Sequence, residues 1–189
     1  MRILVLGEGP NDLGHIAADG SLPPPGAIPV FVERLIKEVA PALAIEITAM
    51  CWRDLRAHRG TGFDRKLELA YGLYGRKISG IVGVVDRDGA KNRSRAPQLN
   101  AGAQFLDCQP DPESLVSRDE ASDRNPKGRL RRLILDSPAG AGSRDFSMHY
   151  ANIARQADLS TVERRCPSGF HGFAASVRGF AHRLIASAE

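Results

Sequence analysis

Gly80-Ile81-Val82-Gly83-Val84-Val85-Asp86-Arg87-Asp88-Gly89 is the stretch on which the fold turns. Its unbroken run of small and β-branched residues suits a strand covered on both faces, because a half-exposed strand would alternate apolar with polar positions. The run stops abruptly on two aspartates spaced by one residue. In extended chain, residues two apart project to the same side, so Asp86 and Asp88 converge while Arg87 points away.

Toward the N-terminus the same pattern recurs. Arg2 to Leu6 (RILVL) reads as a buried strand and runs into Gly7-Glu8-Gly9-Pro10-Asn11-Asp12. Val32, Leu35, Ile36, Val39 and Leu43 recur at helical spacing, Ile45 to Met50 (IEITAM) alternates like a strand, and Phe63, Leu67, Ala70, Tyr71 and Tyr74 return to a period near 3.6. The order βαβαβ predicts an α/β domain with a mostly parallel central sheet flanked by helices. Its crossovers should be right-handed and its ligand sites should lie at the carboxyl ends of the strands.

Toward the C-terminus, Lys91 to Gln98 reads as an exposed loop and Gln104 to Cys108 as a short fourth strand. Lys127 to Leu135 and Ser147 to Ala157 look helical around the connector Ser137 to Ser143. Ser160 followed by Glu163 fits a capping box. Phe170, Phe173, Ala174, Val177, Phe180, Ala181 and Leu184 form the apolar stripe of a last helix. The expected organisation is a core over residues 1–118 and a helical C-terminal extension over 119–189 that packs on it.

Composition narrows the function. The 189 residues are 42% hydrophobic and 25% charged, within the range of globular proteins. Cys51, Cys108 and Cys166 are far apart with no CxxC pair, so neither a zinc cage nor a disulfide framework is legible. No signal segment or membrane-spanning run is present, and a cytoplasmic location is the expectation. The formal charge of +4 comes from basic groups in clusters: Arg53, Arg56, His58 and Arg59; Arg87, Lys91, Arg93 and Arg95; Lys127, Arg129, Arg131 and Arg132. Such clusters neutralise phosphates by releasing counterions, which nominates Arg53, Arg56, Arg87, Lys91, Arg93, Lys127 and Arg131 for nucleic-acid contacts.

Glu8 follows the first strand and Asp86 and Asp88 follow the third, so all three should open onto one edge of the sheet. Carboxylates gathered in a low-dielectric crevice repel one another unless protons or a cation compensate them. Mg²⁺ or Mn²⁺ would do so, since both prefer hard oxygen ligands and complete their shells with water and substrate phosphate. Asp12 is placed either to assist or to cap a helix. Lys66 or Lys91 could present a positive charge to a transition state, and Lys91 is nearer the aspartates in sequence. His15 is the histidine nearest the proposed site. A dinucleotide fingerprint fails because the third glycine is missing and Pro10 removes an N–H donor. No P-loop is present, and a receiver domain would carry its acidic pair after the first strand instead of the third.

Glycine-flanked Glu8 after strand one, with Asp86-x-Asp88 after a later apolar strand, resembles the Toprim domain of topoisomerases, primases and OLD-type nucleases. Gly7-Glu8-Gly9-x-x-Asp12 is most similar to the OLD-type nucleases and to small bacterial Toprim-like proteins of unknown function. The likeness covers roughly the first half of the chain. It implies a Toprim-like Rossmannoid fold and a DNA (or RNA) phosphodiesterase in which Glu8, Asp12, Asp86 and Asp88 hold the metal. Gln109 to Val116 resembles a segment of those small proteins in which a glutamate begins a helix, which makes Glu113 a further candidate ligand. The resemblance further implies an ABC- or SMC-type ATPase partner in phage defence, with self-association as a further possibility. The rival readings are a non-catalytic binding module of the same shape and, from primases, nucleotidyl transfer.

Overall fold

The computed structural model describes residues 1–14, 25–56, 62–86, 113–119, 132–138, 146–167 and 169–187. Four strands, β1 (Arg2–Gly7), β2 (Glu46–Cys51), β3 (Gly80–Asp86) and β4 (Glu113–Asp119), form one sheet in the order β2-β1-β3-β4. Every neighbouring pair is parallel. The chain is α/β.

The unbroken apolar runs of β1 and β3 are explained by their neighbours. Ile3, Val5, Val82 and Val84 point into one buried cluster, whereas Leu4, Leu6, Ile81 and Val85 point into another on the opposite face. Helix α2 (Ala27–Val39) lies on the first face through Val32, Leu35 and Ile36. Helix α3 (Phe63–Tyr74) covers the second through Leu67 and Ala70. The β1 to β2 and β2 to β3 connections thus use opposite faces, as right-handed crossovers running in opposite directions across a sheet require.

A short helix α1 (Pro10–Leu13) follows β1, and α4 (Ser147–Gln156), α5 (Leu159–Arg165) and α6 (Phe170–Ala186) complete the described helices longer than one turn. Helix α4 packs on α2 where Val30 meets Ala151 and Ala154, and Arg34 donates to the Ala154 carbonyl. Helix α6 lies on the first face: Phe173, Ala174, Val177, Phe180, Ala181 and Leu184 share a cluster with Ile3, Val5 and Val82. Edge-to-face contact between Phe31 and Phe170 joins α2 to the start of α6. Among the described residues no helix is long and apolar enough to cross a membrane.

Several local expectations are corrected. Asp158, not Ser160, caps α5: its Oδ1 accepts from the Ser160 backbone N–H at 3.1 Å and its Oδ2 from Thr161 Oγ1 at 2.7 Å. A capping box would need the Glu163 carboxylate to turn back on the chain. Instead it accepts from Arg178, Nη2 to Oε1 at 2.6 Å and Nη1 to Oε2 at 3.1 Å, while Arg178 also reaches Glu38 Oε2 from Nη2 at 2.7 Å. Glu113 opens strand β4, not a helix. The strand expected at Gln104 to Cys108 lies outside the described residues.

Arg178 ties α6 to α2 and α5. It holds the Glu163 carboxyl below the usual carboxylate range, with His171 adding to the effect. A carboxylate depressed on folding stabilises the native state above its unfolded pKa of about 4.3, and that contribution is lost as pH falls through the lower folded value. Thermal unfolding followed from neutral pH to pH 3 should therefore show a steeper acid loss in the wild type than in Glu163→Gln. Parallel curves would mean that the ion pair does not couple to folding.

Gly26 is held against the turn after α1. Its N–H donates to Leu13 O at 2.9 Å, and a Cβ at this position would lie 2.4 Å from both Asp12 O and Gly14 N. Those neighbours are backbone and cannot rotate aside. Gly26→Ala should cost about 1–3 kcal/mol, read as a lower denaturation midpoint, since overpacking at a rigid contact forces backbone shifts. An unchanged midpoint would contradict the close approach.

Candidate functional site at the carboxyl edge of the sheet

From β1 the chain winds outward to β2 and then returns to β3 on the other side of β1. The winding reverses between β1 and β3, and in open α/β sheets the crevice outside the carboxyl ends at such a reversal is where ligands bind. Glu8 follows β1 directly, and Asp86 is the last residue of β3. The final register pair between these strands is Leu6 with Gly83, so Glu8 lies two residues beyond it and Asp86 three. With neighbouring strands ~4.8 Å apart and a rise of ~3.3 Å per residue, the two leave the sheet side by side, about one residue out of step. Asp119 ends β4 in register with Asp86 and brings another aspartate to the same edge.

The exit of β1 is pinned by its own turn. The N–H groups of Asp12 and Leu13 both donate to Gly9 O at 3.1 Å, and Leu13 folds over Gly7, where a Cβ would come within 2.8 Å of Leu13 Cδ2. A side chain at position 7 would force the Leu13 side chain to shift. Glu8 and Asp12 are both half-buried there.

At the end of β2 the chain enters a 3₁₀ turn, Trp52–Asp54. Trp52 and Leu55 are buried, and Arg53, Asp54 and Arg56 face outward. The Trp52 indole N–H donates to Val84 O at 2.7 Å in a buried bond, reaching a residue beyond the last β1 to β3 register pair. Lys66 of α3 donates from Nζ to Trp52 O at 2.7 Å and lies 6.0 Å from the Phe63 ring centroid. Trp52 and Phe63 meet edge to face with centroids 5.1 Å apart. Burial pushes the Cys51 thiol up, Asp54 and Asp12 push it the same way, and Arg53 opposes them. That direction disfavours the thiolate form at Cys51.

The structure thus gathers Glu8, Asp12, Arg53, Arg56, Lys66 and the main chain of Asp86 at one edge of the sheet. Asp88, Arg87, Lys91, Arg93, Lys127, Arg131 and His15 lie outside the described residues. Glu113 is not brought to this edge. It pairs in register with Gly80, at the amino end of the sheet, and the length of β4 separates it from Asp119 by roughly 20 Å at ~3.3 Å per residue. Sequence reasoning missed Asp119, because Glu113–Asp119 (ESLVSRD) holds only Leu115 and Val116 as strand-like residues. Among the described residues no group of three or more His, Cys, Asp or Glu is arranged to hold a metal ion.

No family model matches the chain, and neither a curated protein nor a solved structure proves detectably similar to it.

Proposed function

We propose that the chain is a Toprim-like, divalent-metal-dependent phosphodiesterase that cleaves or nicks DNA. The observation that carries this reading is the exit of Glu8 and Asp86 from adjacent parallel strands at the point where the sheet reverses its winding. The proposed donors are carboxylates, hard oxygen ligands that fit Mg²⁺ or Mn²⁺ better than a softer metal. Glu8, Asp86 and Asp88 would hold the ion, with Asp12 assisting. Asp119 joins this set because its backbone reaches the same edge.

When bound, such a cation supplies Lewis-acid polarisation of a phosphodiester oxygen and acidifies a water. The protein's own residues do the remaining work. Glu8 and Asp12 stand on a turn whose backbone is held by the Gly9 carbonyl, which supports the reading that little reordering of the main chain is needed when substrate arrives. Lys91, next along the chain from the aspartates, is proposed to offset charge that develops on the phosphate. The resemblance extends the reading to an effector in bacterial defence with an ABC- or SMC-type ATPase partner.

Incubating the purified chain with supercoiled plasmid in Mg²⁺, in Mn²⁺ and in EDTA tests the reading. Nicked circles in either cation and none in EDTA are expected. Plasmid that is bound but left intact in both cations would favour the non-catalytic binding module.

A further inference from the structure

The acids come from the exits of β1 and β3, whereas the exit of β2 is basic. Two buried side chains three residues apart, Trp52 and Leu55, root the turn that follows β2 and leave Arg53 and Arg56 outward. The Arg53 side chain is 70% exposed; Asp54 beside it lies 3.8 Å from Arg53 Nε. Trp52 bonds to Val84 on the strand that carries Asp86, and Lys66 holds the Trp52 carbonyl. The guanidinium groups are thus mounted on a fixed turn that is hydrogen-bonded to the strand carrying the proposed metal ligand.

We infer that Arg53 and Arg56 form a phosphate-gripping shelf for a DNA strand, holding the backbone that flanks the phosphate at the acidic edge. Guanidinium forks match phosphate oxygens, and rooting by Trp52 and Leu55 reduces the entropy lost when the shelf engages. A strand lying across the carboxyl edge places one phosphate by Glu8 and Asp86 and its neighbours over β2. The inference rests on the phosphodiesterase reading for where the reacting phosphate lies, but the grip itself needs no cation.

Fluorescence anisotropy with a short fluorescein-labelled DNA duplex, titrated in EDTA at several salt concentrations, tests the shelf. Each lost phosphate contact should reduce the slope of log affinity against log salt by about 0.9. The Arg53→Ala/Arg56→Ala protein should lose close to two such contacts. Arg76→Ala/Lys77→Ala removes the same charge from exposed positions just before β3, at the opposite edge of the sheet, and should leave the slope near wild type. Equal slopes in both variants, or an unaltered slope in the first, overturn the shelf. So does a glutamate peptide that displaces the duplex as readily as unlabelled DNA, which would assign the surface to an acidic protein. Because no free divalent cation is present, a chain that never nicks plasmid can still show the slope change. Conversely, a nicking enzyme with an unaltered slope refutes the shelf alone.

Discussion

An Asp86→Ala protein is expected to lose metal-dependent cleavage by at least about 10²-fold while its thermal unfolding in EDTA stays at or slightly above that of the wild type. The first half follows from the chemistry, because transition-state charge on phosphate is stabilised by preorganised groups whose removal typically costs two to three orders of magnitude. The second half follows from electrostatics. Asp86 shares the carboxyl edge with Glu8, which follows β1, and with Asp119, its register partner at the end of β4. Like charges brought to one sheet edge repel when no cation compensates them, so on the proposed reading deleting one relieves repulsion, and the substitution leaves the apolar part of β3 intact. The same substitution should shrink the rise in unfolding temperature that Mn²⁺ gives the wild type, since a ligand stabilises only in proportion to its binding. Cleavage that survives in Asp86→Ala would sink the assignment, and a collapsed fold would point to a packing role instead.

Phe180→Ala should be the most damaging single truncation in the described core, at about 3–5 kcal/mol. Phe180 heads the fully buried side chains by volume and sits in the cluster formed by α6, α2 and the first face of the sheet. Relaxation around the void is limited by the backbones of β1 and β3, which are fixed by their ladders. At roughly 2–4 °C per kcal/mol for a chain of this size, the unfolding temperature should fall on the order of 10 °C. A loss under about 1 kcal/mol would mean that α6 is an appendage and not a wall of the core. A two-step melting curve would point the same way.

How much of this was readable in advance depended on how many contacts each segment makes. RILVL and GIVGVV are buried on both faces, so nearly every position had to be apolar and both strands were legible. Val32, Leu35 and Ile36 on α2, and Phe173, Val177, Phe180 and Leu184 on α6, each face a single core and so kept a clear helical period. Strand β4 is the opposite case: it stands at one end of the described sheet, and its charged sequence left Glu113 open to misreading as a helix start. The α5 cap failed for another reason. Asp158, Ser160 and Thr161 are all competent N-terminal residues, and Glu163 was claimed by Arg178, distant in sequence. Of the site, the strand-end acids Glu8 and Asp86 could be seen because strands announce where they stop. The alignment of Asp119 could not, since it depends on a register that local sequence does not encode. Nor could the path of the Trp52 indole, whose partner Val84 lies 32 residues away.

That indole is the chain's only tryptophan. Lodged between the exits of two strands and bonded to the backbone just ahead of Asp86, it gives the protein a native fluorophore at the place where chemistry is proposed. Its emission reports on that corner of the molecule without any label, so ion titrations and duplex titrations can be followed optically on unmodified protein.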